Sequence, residues 1–287
     1  MMEVITTISE IRTRITKERK AGKVISLVPT MGYLHRGHQS LIEKARAESD
    51  LVVVSIFVNP LQFGPNEDYD RYPRDLERDK VIAEVAGADL IFFPSVNEMY
   101  PVKPKTYVEV NELTNQLCGK SRPGHFRGVT TVVSKLFHII QPDFAYFGLK
   151  DAQQVAVIQQ MVEDLNMPVT IVPCPIVREE DGLALSSRNV YLTSEERSQA
   201  TILYQSLQKA KEWIGEGITE TKKLKDRIRN FIETQPLARI DYVEILSFPS
   251  LEPVTEIHST SQAIIALAVW FDKTRLIDNL IINQNEV

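Results

Sequence analysis

The sequence predicts an α/β protein, a doubly wound (Rossmann-like) parallel sheet domain followed by a smaller α+β domain, and three observations carry that prediction. Residues 24–29 (VISLVP) and 51–58 (LVVVSIFV) are short β-branched runs without polar alternation, the pattern of strands buried on both faces of a parallel sheet. Between them, 37–48 sets Leu41, Ile42 and Ala45 at helical spacing with Glu43, Lys44 and Arg46 turned outward, so the three segments make one βαβ unit. After about residue 180 the alternation stops, and helical stretches are followed by strand-like runs, which points to a separate α+β unit.

The remaining elements follow in order. Runs at 90–93, 144–147 and 169–172 supply further strands of the first sheet, and 75–86 and 129–140 read as intervening helices. Thr193 and Glu196 have capping-box spacing and open a helix that reaches about Gly215. A second helix is expected at 221–234, and strands at 241–246, 263–271 and 276–281. The polar stretch 178–182 (REEDG) marks the boundary, dividing the 287 residues into 1–180 and 181–287, in keeping with about 150 residues per domain. No internal repeat and no low-complexity segment interrupts this pattern.

Thirty-three basic against 38 acidic residues leave a net charge of −5, which argues against nucleic acid as a main partner. A local cluster of cations and helix N-termini can still hold a small anion. The first fifteen residues carry charges throughout, and no apolar run approaches the ~20 residues that span a bilayer. The two cysteines, Cys118 and Cys174, form no CxxC pair, so a zinc ribbon and a thioredoxin-like motif are excluded. A cytoplasmic protein with reduced thiols and no membrane partner is the expectation.

The informative segment is 29–38 (PTMGYLHRGH), the turn from the first strand of the βαβ unit into its helix. His35 and His38, three residues apart at a helix start, share one face. Unpaired backbone amides and the positive end of the helix dipole are expected to converge there, a setting for phosphate. Gly37 would let a nucleotide lie against the backbone. Two neutral imidazoles can donate to phosphate oxygens that gain charge during bond making or breaking, although a helix start with two incidental histidines would look the same. No further ligand follows at a helical offset to make the pair a metal site. Lys150, in 148–151 (GLKD), stands past a predicted strand end and so faces the crevice of such a sheet. Arg188, in 185–189 (LSSRN), offers a planar fork of donors at the domain junction. Gly119-Lys120-Ser121 is no P-loop because Thr114 occupies the first glycine position, and Gly215–Gly217 fails as a dinucleotide fingerprint at Glu220.

With these residues in hand, 30–38 (TMGYLHRGH) resembles the signature of the HIGH nucleotidyltransferase superfamily, with Arg36 in place of the usual Ile. Together with 57–64 (FVNPLQFG), 121–128 (SRPGHFRG) and 181–189 (DGLALSSRN), it resembles the pantothenate synthetase (pantoate–β-alanine ligase) family over about residues 24–190. The resemblance implies adenylation of pantoate by ATP with Mg²⁺, then attack by β-alanine with release of AMP. It implies ATP contacts from Met31, Gly32, Tyr33, Leu34, His35, Arg36, Gly37, His38, Gly148, Leu149, Lys150, Asp151, Val177, Leu185, Ser186, Ser187 and Arg188, Leu149 without a side-chain contact to phosphate. His38, His35, Lys150 and Arg188 are the catalytic candidates it carries over, His38 as general acid. Gln62, Gln154 and Asn59 are implied to bind pantoate or β-alanine, and Asp79 maps only loosely onto a metal ligand, so the metal position stays open. A homodimer is implied too, and residues 185–189 with the small domain are expected to close over ATP. The alternatives are another HxGH nucleotidyltransferase with a different acceptor, or a non-catalytic nucleotide- or RNA-binding module. The other histidines, His125, His138 and His258, are expected to be structural or exposed rather than catalytic, with ligand contact left open for His125 because of its motif.

Overall fold

In the computed structural model, which describes residues 2–65, 67–258 and 260–282, the unbroken apolar runs pair as one sheet. Strands β1 (Glu3–Ile5), β2 (Ile25–Thr30), β3 (Leu51–Ile56), β4 (Leu90–Phe92), β5 (Phe144–Gly148) and β6 (Thr170–Cys174) lie in the order β1-β4-β3-β2-β5-β6. All of their pairings are parallel. Helices α1 (Ile8–Lys20), α2 (Arg36–Glu48), α3 (Leu76–Ala86), α4 (Val96–Met99), α5 (Leu117–Ser121), α6 (His125–Ile140) and α7 (Ala152–Asp164) connect them. Strand residues divide by the period of two. Leu27, Val53, Phe92 and Ala145 pack with α1, α6 and α7, while Val28, Val52, Val54 and Tyr146 pack with α2 and α3. Both faces are thereby covered, which is why the strands carry no polar alternation.

Several elements depart from the sequence expectation. β1 and α1 were not foreseen, although Ile8, Ile11 and Ile15 share one face of α1 behind a Thr7 cap. α7 also went unassigned, because its apolar residues run nearly all round it and nothing caps its start. The helix expected from Thr193 to Gly215 is two, α8 (Ser194–Ala200) and α9 (Ile202–Gly215). They part at Thr201, whose hydroxyl bonds back to the Ser198 carbonyl, the competition by which Thr interrupts helices.

After α10 (Thr221–Ile232), strands β7 (Ala238–Ser247), β8 (Ala263–Phe271) and β9 (Thr274–Ile282) form an antiparallel sheet in that order. Ile265, Leu267 and Val269 of β8 face α9 and α10. On its other face, Ile264 and Ala266 meet Leu117, Ala152 and Ala156 of the large unit. Polar ties cross the same junction. Arg178 grips Asp278 at 2.6 and 2.9 Å, and the Asn279 amide donates to the carbonyls of Leu149 and Lys150. Among the described residues no helix is long and apolar enough to cross a membrane.

Candidate functional site

The strand order reverses between β2 and β5, and in open α/β sheets that switch point is where ligands bind. β2 runs beside β3 as far as Thr30, and β5 beside β6 as far as Gly148. With each other, however, β2 and β5 pair only at Ser26↔Phe144 and Leu27↔Ala145. Beyond those pairs their carboxyl ends part, and a cavity of about 230 Å³ opens between them. Phe57, Val129, Val132, Leu136 and Phe147 make its apolar wall. Met31, His35, Gly37, His38, Gln62, Gly148, Lys150, Asp151, Gln154, Val177, Leu185, Ser186, Ser187 and Arg188 also line it. Residues spread over most of the chain are thus brought to one place. A larger cavity of about 590 Å³, reaching under the small sheet, shares Lys150, Asp151, Gln154, Ser186 and Arg188 with it.

The histidine turn differs in one respect from what its sequence suggests. His35 caps α2, its Nδ1 accepting from the Gly37 amide at 3.2 Å, and His38 Nδ1 accepts from the His35 amide at 3.3 Å. The Gly32 amide goes to the Thr30 hydroxyl, and those of Tyr33 and Leu34 go to the two carboxylate oxygens of Asp79 at 2.8 and 2.7 Å. The amides of Gly32, Tyr33, Leu34, His35 and Gly37 are therefore spent on the protein itself. The rings are left for a ligand. A ring nitrogen that accepts from an amide carries no proton, so both neutral imidazoles hold theirs on Nε2 and present it as a donor. Burial, with Lys150 and Arg78 nearby, lowers His35 to about 4. Burial, with His35 and Lys150, holds His38 well below the ordinary histidine value. A ring kept neutral presents Nε2–H as a hydrogen-bond donor. The two rings lie 4.1 Å apart. A Cβ on Gly37 would fall 2.9 Å from the His35 ring, so glycine there is what lets the cap form.

Asp79 supports the turn from beneath: its side chain is 1% exposed and each of its oxygens accepts from one turn amide. Among the described residues no group of three or more His, Cys, Asp or Glu side chains is placed to hold one.

Asn59, expected to touch substrate, instead lies behind the wall, 1% exposed. Its amide donates to Gln62 Oε1 at 3.2 Å and to the Gly128 carbonyl at 3.0 Å, while its oxygen accepts from Tyr100 at 3.0 Å. Asn59 thereby sets the flip of the Gln62 amide, whose nitrogen faces Met31 Sδ. Gly128 permits this packing, since a Cβ there would stand 2.4 Å from the Leu61 carbonyl oxygen. Gly32, Tyr33, Leu34, Arg36 and Leu149 also fall outside the cavity wall. Leu34 is in the core, Arg36 pairs with Glu43, the Tyr33 ring stacks under Arg78, and Leu149 packs against the first core.

A second rim is ionic. Arg188 holds Asp68 through Nε at 2.9 Å and Nη2 at 3.1 Å. Arg122 forks onto Glu67 and also reaches His125 at 3.2 Å. His125 Nδ1 meets the Gln62 carbonyl at 2.8 Å, and burial lowers this ring to about 4. Lys150 Nζ stands 3.7 Å from Asp151. Arg122, Glu67 and Asp68 lie outside the expected site residues, whereas the sequence leaves ligand contact open for His125, which lines the cavity. The segment 121–128 signalled the first and last, whereas the acids sit in a polar stretch that looks like any solvated loop.

A family model described as pantoate-beta-alanine ligase matches residues 3–281. A protein named pantothenate synthetase from Acetivibrio thermocellus is 60% identical over 98% of this chain and 99% of its own. One of the same name from Caldicellulosiruptor saccharolyticus is 55% identical over 98% and 99%. A pantothenate synthetase crystal structure from Thermus thermophilus superposes with a TM-score of 0.91 at 48% identity, covering 97% of this chain and 99% of that one. A Francisella tularensis pantoate-beta-alanine ligase, complexed with beta-gamma ATP and beta-alanine, does so with a TM-score of 0.81 at 37% identity and 98% coverage of each.

Proposed function

We propose roles for individual residues on one premise: the chain belongs to the pantoate–β-alanine ligase family. It joins pantoate to β-alanine with ATP, by way of a pantoyl adenylate, and releases pyrophosphate and AMP. The observation that carries the assignment of roles is the convergence of His35, His38, Lys150, Arg188, Gln62 and Gln154 on one cavity at the switch point.

ATP would lie along the histidine turn, with Met31, Gly37, Gly148, Asp151, Val177, Leu185, Ser186 and Ser187 around it. Adenylation sets a carboxylate against a phosphate, and the departing pyrophosphate gathers negative charge. Nε2–H of His35 and of His38, fixed before the reaction begins, would donate to the phosphate oxygens, and Lys150 and Arg188 would offset the charge. Gln62 and Gln154, neutral and able both to donate and to accept, suit pantoate's hydroxyls and carboxylate. Asn59 works through Gln62 by fixing its amide. The β-alanine amine then attacks the acyl carbon of the adenylate, AMP leaves, and the amine sheds a proton. The residues present do not fit a protein-held Mg²⁺, whereas an ion carried by ATP's own phosphates needs no such cage. We further propose that residues 181–287 act as the closing unit over the region 1–180, and that the enzyme is a cytoplasmic homodimer. Two free thiols and the family resemblance support the last reading.

Incubation with ATP, Mg²⁺, D-pantoate and β-alanine should yield AMP, pyrophosphate and pantothenate in equal amounts. Release of ADP, or of AMP at the same rate without β-alanine, would contradict the assignment.

A further inference from the structure

Asp68 occupies a forked edge of Arg188 that is suited to a phosphate. The Nε and Nη2 edge of a guanidinium takes an oxyanion in a fork, and both positions are filled by the two oxygens of Asp68. The pair is well shielded, its side chains 28% and 16% exposed. Burial pushes the Asp68 carboxyl up, but Arg188 outweighs it and holds the group below its ordinary value. The acid therefore stays ionised at neutral pH. Arg188 borders both cavities, whereas Asp68 borders only the larger one. The carboxylate cannot stay when a polyphosphate takes the same edge, because two anions would share one fork at close range.

We infer that Asp68 is a built-in competitor of the ATP polyphosphate for Arg188. It holds the guanidinium in place while the site is empty and yields when the triphosphate enters. Once pyrophosphate has gone, it returns and closes the fork. Its return disfavours pyrophosphate rebinding, and with it the reverse step in which pyrophosphate attacks the adenylate phosphorus to regenerate ATP and pantoate. The site is then committed to the amine. This inference rests on the reading that Arg188 meets the polyphosphate, and the test separates the two.

Affinity for a non-hydrolysable β,γ-methylene ATP analogue and for AMP is measured by calorimetry in the unaltered enzyme and in Asp68→Asn, Asp68→Glu and Arg188→Gln. Exchange of labelled pyrophosphate into ATP, with pantoate but without β-alanine, is followed in the same proteins. Asp68→Asn should bind the analogue about tenfold more tightly, the low end for a close charge pair. It should also exchange pyrophosphate at a lower half-saturating concentration, while AMP affinity and the pantoate KM stay put. Asp68→Glu should stay near the unaltered enzyme. Analogue binding unchanged or weakened in Asp68→Asn, with Arg188→Gln also weakened, overturns the inference and leaves the Arg188 reading intact. Unchanged binding in Arg188→Gln overturns both. If Asp68→Asn does not fold, a crystal structure of the unaltered enzyme with the analogue decides: Asp68 should have left Arg188, and a retained fork overturns the proposal.

Discussion

The two rims of the cavity meet the same demand, a polyanion, by opposite means. On the histidine rim the donors are neutral and are tied to the backbone of their own helix, so no bond has to break before a phosphate arrives. On the arginine rim, Arg122 and Arg188 already hold Glu67 and Asp68, so binding there is an exchange of partners. Fixed neutral donors stabilise developing charge without reorganising. Paired charges give up much of their attraction to the bonds they must first release. The difference teaches that proximity to a site says little about what a group contributes until its present partner is known.

The largest expected effect lies on the neutral rim. His38→Ala should lower turnover by about 10²–10³, or roughly 3–4 kcal/mol, measured as AMP release at saturating substrates. His38→Asn keeps an N–H donor and should retain clearly more activity, so equal losses in the two variants would break the donor account. Next comes the support beneath that rim. Asp79→Asn leaves one acceptor where the Tyr33 and Leu34 amides need two. It should cost about 1–3 kcal/mol of stability, read from the denaturant midpoint, and an unmoved midpoint would mean that the carboxylate does not hold the turn. The smallest effect separates the rims by pH. Folded His35 is held to about 4 against an ordinary 6.5, so the unfolded chain binds the proton first. The stability this ring contributes is complete above about 6.5 and is lost as pH falls towards 4. Asp68, held below its ordinary 3.8, loses its contribution only below that value. Melting temperature should therefore fall between pH 6.5 and 4 less steeply in His35→Asn than in the unaltered protein, and equal slopes would remove the histidine contribution.

Much of this was legible in the sequence because the relevant signals are local. Unbroken β-branched runs reported strands covered on both faces, and a histidine pair at a strand-to-helix turn reported the switch point. Direction was harder to read. Asn59 lies in a segment with Gln62, yet only the fold reveals that it faces away from the cavity and steers its neighbour. Asp79 could be taken for a metal ligand because a carboxylate's partners, here two amides some 46 residues away, leave no trace in composition. β1 was missed because three residues carry almost no periodicity. α1 was missed because its isoleucines are outnumbered by the charged residues around them. The acids at 67 and 68 looked like any hydrophilic loop, and their significance arises only once Arg122 and Arg188 are folded against them.

The self-capped start of α2 has an evolutionary corollary. The side chains that begin this helix, through Nδ1, are the same ones that would greet a nucleotide through Nε2, so decay of the chemistry frays the scaffold in the same step. A descendant that abandoned catalysis but kept its fold would first need substitute caps, such as His35→Ser with His38→Glu. An HxGH turn that persists without such replacements is therefore held in place twice over, once by the reaction and once by the architecture.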